Sequence, residues 1–331
     1  MAEFFLCKWE YSTQVINMQN FRTDLAMEVC EGISNIDGVE IRTQATEETT
    51  LTWVEIRTQA GVETMGRPVG NYITLESQLM KENAPAAHET IVTMLAEKLG
   101  ALHKLPSDAT VLVIGLGNRY VTPDALGPKV CEKLLVTRHL NGEVPIELEG
   151  TLRGVAAIAP GVMGITGIET AEIARGIVDK INPDLVIAID ALAARKTSRI
   201  NATIQIADVG VNPGAGMGNQ RTPINQSTMG VPVIAIGVPT VVDAATLVND
   251  TMGKMLQEIA EANPFYNMLD TMEEGERYGL ITEILDPYTE NMFVTPKEVD
   301  AVIERLAKII ADAINIAMHP GVSKEDMGLY I

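Results

Sequence analysis

Cysteine is scarce in this chain. Three occur in 331 residues, Cys7, Cys30 and Cys131, with no CxxC pair. An odd, sparse count fits a reducing compartment and gives no disulfide framework. Histidine is nearly as rare: His88, His103, His139 and His319 form no recognisable arrangement with any cysteine. A thiol nucleophile, which needs an activating partner, therefore has no support. Basic residues are outnumbered, 25 against 44 acidic, for a net charge of −19. That excludes direct nucleic-acid binding as an expectation, because gripping a phosphate backbone needs clustered Lys and Arg. No apolar run reaches the roughly 20 residues of a membrane helix. The start, Met-Ala-Glu-Phe-Phe-Leu-Cys-Lys-Trp-Glu, lacks the charged region and long apolar core of a secretory signal. The expectation is a cytoplasmic protein with no membrane partner. Gly115-x-Gly117 lacks the third glycine of a dinucleotide fingerprint, since Tyr120 stands there. The glycine-rich stretches Pro160–Gly167 and Asn212–Asn219 lack the lysine of a P-loop.

What the chain does have is alternation. Strand patterns cover Thr50–Arg57, Asn71–Glu76, Val111–Leu116, Val155–Ala159, Leu185–Ile189, Thr203–Ala207 and Val233–Ile236. Helical patterns cover 82–104, 128–139, 168–180 and 243–260. A last helix is predicted with Thr295 as N-cap, Pro296 at its first position and Glu298 completing a capping box. Its apolar residues, Val299, Val302, Ile303, Leu306, Ile309, Ile310, Ala313 and Ile314, recur at one-face spacing. This order predicts an α/β protein, three layers α/β/α around a mainly parallel, mixed sheet. The polar alternation of Thr203–Asp208 marks it as an edge strand. Residues 1–30 read as a loosely structured leader.

Two carboxylates stand where such a sheet would deliver them to one crevice. Asp124 follows the apolar run Val111–Leu116 and a Gly115-Leu-Gly-Asn118 turn; Asp190 closes the run Asp184–Asp190. Ligands of open α/β sheets bind beyond the carboxyl ends of the strands. Each acid has two readings. Asp124, directly after Thr122-Pro123, either complements a helix dipole or does chemistry. Asp190 either caps a helix at Ala191–Ala194, with Arg195 as its ion-pair partner, or is a partly buried functional acid with a raised pKa. Gly115, Gly117 and Asn118 let backbone approach a ligand closely. Gly161, Thr166 and Glu169, after the next strand, are candidate supporting groups in the crevice wall.

The segments GLGNRYVTPDALGPKV, IAPGVMGITGIET, IAIDALAAR, INATIQIAD, VPVIAIGVPTVVDA and MFVTPKEVD resemble the germination protease family of spore-forming bacteria. The resemblance runs from about Phe21 to the C-terminus. It implies an endopeptidase of atypical aspartic type that cuts small acid-soluble spore proteins in the germinating spore. It implies a homotetrameric zymogen that removes its own N-terminal segment, and a spore-core location. The implied fold is phosphorylase/hydrolase-like, similar to the hydrogenase-maturation endopeptidases. The two essential aspartates of the family fall on Asp124 and Asp190. The propeptide cut falls between Asp24 and Leu25, dividing residues 1–24 from a single peptidase domain, 25–331, with its core at about 108–320. The stretch 253–274 looks shorter than in the relatives, and residues 1–20 are distinctive.

A metal mechanism needs a third ligand. In the maturation endopeptidases a histidine from a later loop joins the two acids; the similar loop here, Pro223–Gly230, has none. Asn and Gln are poor transition-metal ligands, so neither metal nor cofactor is expected. Two alternatives stand beside the peptidase: a metal-dependent maturation endopeptidase of the same fold, and a non-catalytic nucleotide-binding protein.

Overall fold

Short apolar runs rich in Val and Ile become strands here, and their order decides where the two acids meet. The computed structural model describes residues 23–30, 36–140, 152–214, 221–262, 274–289 and 292–322. Of the expected leader, residues 23–30 lie among them, and Ala26–Cys30 is a helix with a buried face rather than loose structure. Nine strands form one sheet: β1 Val39–Ala45, β2 Thr50–Ile56, β3 Gly70–Glu76, β4 Thr110–Gly115, β5 Gly154–Ile158, β6 Leu185–Ala194, β7 Thr203–Ala207, β8 Val233–Asp243 and β9 Phe293–Val294. The helices are α1 Ala26–Cys30, α2 Gln59–Met65, α3 Pro85–Leu102, α4 Leu126–Cys131, α5 Met163–Thr166, α6 Thr170–Ile181, α7 Gln226–Met229, α8 Ala244–Ala262, α9 Glu274–Thr289 and α10 Val299–Met318.

The strand order is β1-β2-β3-β7-β8-β6-β4-β5, with β9 on the end of β8. The sheet is mixed. Strands β8, β6, β4 and β5 run parallel, and the other pairings are antiparallel. The antiparallel part draws on residues 39–76, on β7 and on β9, so one sheet gathers strands from almost the whole described chain. Alternating side chains split the core between two faces. Val111, Val113, Leu185, Ile187, Ile234 and Ile236 pack under α3, α4 and α10. Leu112, Ile114, Val186 and Ala188 pack under α6 through Ala174 and Val178. The three layers match the expected architecture. Full burial of each Leu or Ile stabilises by about 1.5–3 kcal/mol.

Four other expectations change. Thr203–Ala207 is not an edge: β7 lies between β3 and β8 and is buried along its length. Its polar alternation exists because Gln205 faces a cavity. Ala191–Ala194 is not a helix; β6 continues through it, paired with the long β8. The helix expected over 128–139 stops at Cys131, and the chain turns so that the Leu135 N–H can donate to Asn315 of α10. Helix α10 begins at Val299, because Thr295 donates its hydroxyl to the Thr240 carbonyl of β8 instead of capping. The apolar face of α10 is buried as the spacing predicts.

Candidate active site

Asp124 owes its position to glycines. After β4 the chain reverses through Gly117, whose φ of +106° few side chains adopt. A Cβ there would lie 2.1 Å from the Asp124 carbonyl oxygen. Gly115 has a different reason: a Cβ would lie 2.2 Å from the Gly127 carbonyl, so its absence lets α4 press on the strand end. The turn delivers Thr122–Asp124 as one turn of 3-10 helix with Pro123 at its start. The Asn118 N–H donates to Asp124 Oδ2 at 2.8 Å, and Asn118 Oδ1 accepts from the Tyr120 N–H.

Asp190 sits inside β6, in register with Gly237 of β8. Its Oδ1 accepts from the Ala191 N–H at 3.0 Å. Burial pushes its carboxyl well above the usual carboxylate range, and the negative charges of Asp124 and then Asp24 push it further. Burial also raises Asp124, opposed by the Asn118 N–H. Neighbouring acids that oppose each other's ionisation favour sharing one proton.

Asp124, Asp190 and Asp24 line one cavity of about 530 Å³, with Arg67, Tyr72 and Gln205 on the side of the antiparallel strands. Asp24 is held firmly. Its N–H donates to the Ala193 carbonyl and its Oδ2 accepts from the Ala193 N–H at 2.9 Å. Leu25 is wholly buried against Leu192, Ala194, Ile200 and Val242. Three residues on, buried Glu28 pairs with Arg199 and accepts from the backbone N–H groups of Arg195 and Lys196.

Other expected site residues lie apart from this cavity. Arg195 stands past the end of β6, roughly 16 Å along an extended chain from Asp190, with its N–H on Glu28. It is therefore not placed as the partner of Asp190. Thr166 bonds within its own turn, Glu169 precedes α6 and lies 4.0 Å from Arg221, and Gly161 accepts from the Thr170 hydroxyl. Their neighbours Val162, Met163 and Thr170 line the cavity instead. Sequence reasoning missed Arg67, Tyr72 and Gln205 as lining groups. The polar residue of the alternating Thr-Ile-Gln-Ile-Ala run was the one available signal. Cys131 bonds to the Ile158 carbonyl, and burial pushes its thiol up to about 11, which leaves it unreactive at neutral pH.

Among the described residues no group of three His, Cys, Asp or Glu side chains is arranged to hold a metal. None of the four histidines lines the cavity. The loop Pro223–Gly230 contributes Asn225, whose Oδ1 accepts from the Thr228 N–H as the cap of α7.

A buried acid, Asp190, and a half-buried one, Asp124, face one cavity beside a bound stretch of the chain in a cleft of an α/β sheet, an arrangement that can support acid–base chemistry. Comparison with known proteins names the family. A family model described as germination protease matches residues 15–264 and 256–331. Germination proteases of Clostridium acetobutylicum and of Caldanaerobacter subterraneus subsp. tengcongensis are 47% and 46% identical over 326 and 319 residues. Both alignments cover 95% of this chain, and 100% and 98% of those proteins. The Bacillus subtilis germination protease is 41% identical across 95% of this chain and 98% of its own. The chain belongs to the germination protease family: it is a spore-germination peptidase, a hydrolase acting on protein substrates. No helix among the described residues is long and apolar enough to cross a membrane.

Proposed function

We propose that the chain is a self-processing endopeptidase that begins the degradation of small acid-soluble spore proteins, with Asp124 and Asp190 as its catalytic pair. The observation that carries this is the shared cavity. The two acids face it together, Asp124 raises Asp190 electrostatically, and the Asp24–Leu25 peptide is bound at the same place. In the proposed reaction the ionised acid takes a proton from water as its oxygen adds to the scissile carbonyl carbon. The protonated acid then gives its proton to the departing amide nitrogen as the C–N bond breaks. The products are a new carboxyl and a new amino terminus. General acid and base groups of this kind contribute about 10²–10⁴-fold.

Residues 1–24 are, on this reading, the propeptide of a single domain, 25–331. Family resemblance supports a homotetramer and a spore-core location. The metal-dependent alternative fits less well, because Asn225, in the loop where a ligand histidine would stand, is the α7 cap and a weak ligand. Proteolysis is therefore expected to persist under exhaustive chelation. The test of the function is to incubate the protein with purified small acid-soluble spore proteins and map the products by mass. Cleavage at one or a few internal bonds is expected. Intact substrate, in a preparation that has removed its own leader, would overturn the substrate assignment.

A further inference from the structure

Gln205 touches the peptide at the expected cut from both sides. Its Nε2 donates to the Asp24 carbonyl oxygen at 3.2 Å, and its Oε1 accepts from the Ala26 N–H at 2.7 Å. The first of these groups is the carbonyl of the Asp24–Leu25 bond itself. The second is the next N–H beyond that bond. One primary amide thus spans the peptide link as a residue of a parallel neighbouring strand would, donating to one carbonyl and accepting from the N–H two residues on.

Its place in the sheet explains the reach. Gln205 of β7 and Asp190 of β6 are both in register with Gly237 of β8, so they face the same side, two strand spacings or about 10 Å apart. Gly237 is small for a reason. A Cβ there would lie 2.3 Å from a Leu192 methyl, and Leu192 packs against Leu25. The row Gln205–Gly237–Asp190 therefore sets an amide on one side of the bound segment, an acid on the other, and an apolar seat for the residue after the cut. Gln205 is nearly fully buried, and its amide has no competing partner among the hydrogen bonds of β7 with its neighbours.

We propose that Gln205 is a further catalytic residue of this peptidase: it grips substrate main chain across the scissile bond and donates to the carbonyl oxygen as negative charge develops there. The inference rests on the reading that Asp24–Leu25 is the bond cut. When water adds to the Asp24 carbonyl carbon, the C=O π pair moves onto oxygen, where the Nε2–H already points. The pair returns as the C–N bond breaks and the Leu25 nitrogen takes the proton of the protonated acid. Because both contacts are to backbone, the grip is independent of side-chain sequence and extends to protein substrates supplied in trans.

The test uses full-length wild type, Gln205→Met and Gln205→Glu, each checked for cooperative thermal unfolding. The readout is the rate at which chains beginning at Leu25 appear, measured across pH. Removing one such donor costs about 10²–10³-fold elsewhere, and Gln205→Met should lose that much at every pH. Gln205→Glu keeps the acceptor for Ala26 but has no donor when ionised. Protonated, its O–H donates again, so its rate relative to wild type should climb as pH falls. A role confined to capping α1 needs only the acceptor, which Gln205→Glu keeps, so it would leave that variant processing near the wild-type rate at neutral pH; that outcome overturns the proposal even if Gln205→Met fails to fold. A folded Gln205→Met that processes at the wild-type rate to Leu25 overturns the proposal alone. A wild type whose new terminus is elsewhere overturns the cut-site reading and the proposal together.

Discussion

Replacing Glu28 by alanine should be among the most damaging single changes near the cavity, although Glu28 is absent from its lining. The carboxylate is completely buried and pairs with a nearly buried Arg199 at 3.0 Å. It also accepts from the N–H groups of Arg195 and Lys196 at 2.9 and 3.2 Å, and from the Thr23 hydroxyl. Removing one partner of a buried ion pair costs about 3–5 kcal/mol. Arg199 keeps a second partner in Glu76 at 2.8 Å, which moves the cost toward the lower end. The two orphaned N–H groups move it back, at about 1–3 kcal/mol each when fully desolvated. These contributions overlap, so about 4 kcal/mol is the expected total, or a fall in Tm of roughly 8 °C at about 2 °C per kcal/mol for a domain of this size. Thermal unfolding followed by circular dichroism measures it directly. The same variant should process more slowly, because Glu28 anchors the turn that presents Asp24 and Leu25. A Glu28→Ala protein melting with the wild type would refute the view that this buried ion pair holds the leader junction in place.

Two further outcomes follow from the acids and their turn. The folded pKa of Asp190 is raised above its unfolded value, so the folded state holds its proton more tightly, and the resulting stability is present at low pH and lost as pH rises through the folded pKa. Asp190→Asn should therefore match wild type below about pH 4 and become the more stable of the two toward neutrality, as urea midpoints across pH would record; a wild type that gains on the variant with rising pH contradicts the burial argument. Gly117→Ala places a Cβ 2.1 Å from the Asp124 carbonyl at a φ of +106°. Strain of about 1–3 kcal/mol should displace Asp124 and cut the peptidase rate far more than it lowers Tm, and unchanged kinetics would show that the turn has slack.

Much of the parallel half was legible in the sequence because its strands are buried on both faces, so the signal is an unbroken apolar run. Val111–Leu116 and Leu185–Ile189 are of this kind, and each leads to its acid. The antiparallel half was harder. Strand β1 is largely exposed, so Val39–Ala45 carries no apolar stripe to read. In β7 the alternating Thr203 and Gln205 imitate a solvent-facing edge although both are buried and Gln205 faces a cavity, and nothing local separates those cases. The end of β6 was hidden for a similar reason: Ala191–Ala194 has helical propensity, but pairing with β8 overrides it. Arg195 and Glu28 are intelligible only in three dimensions, since the contact between them joins residues 167 apart in sequence. Position placed the two acids at the carboxyl ends of neighbouring strands but left each with a structural and a functional reading; the family resemblance chose between them. The effect of Asp124 on Asp190, and the lodging of Asp24 beside them, depended on the fold.

The central claim is that Asp124 and Asp190 together cut the chain after Asp24. The direct measurement is N-terminal sequencing of full-length wild type, Asp124→Asn and Asp190→Asn after incubation across pH. A pair sharing one proton works only between its two apparent pKa values, and the raised Asp190 carboxyl moves that window upward from the usual carboxylate range. Wild type should yield chains starting Leu25-Ala-Met-Glu, fastest under mildly acidic conditions, and neither folded variant should yield any. Leu25 termini forming at the wild-type rate in either variant would contradict the account.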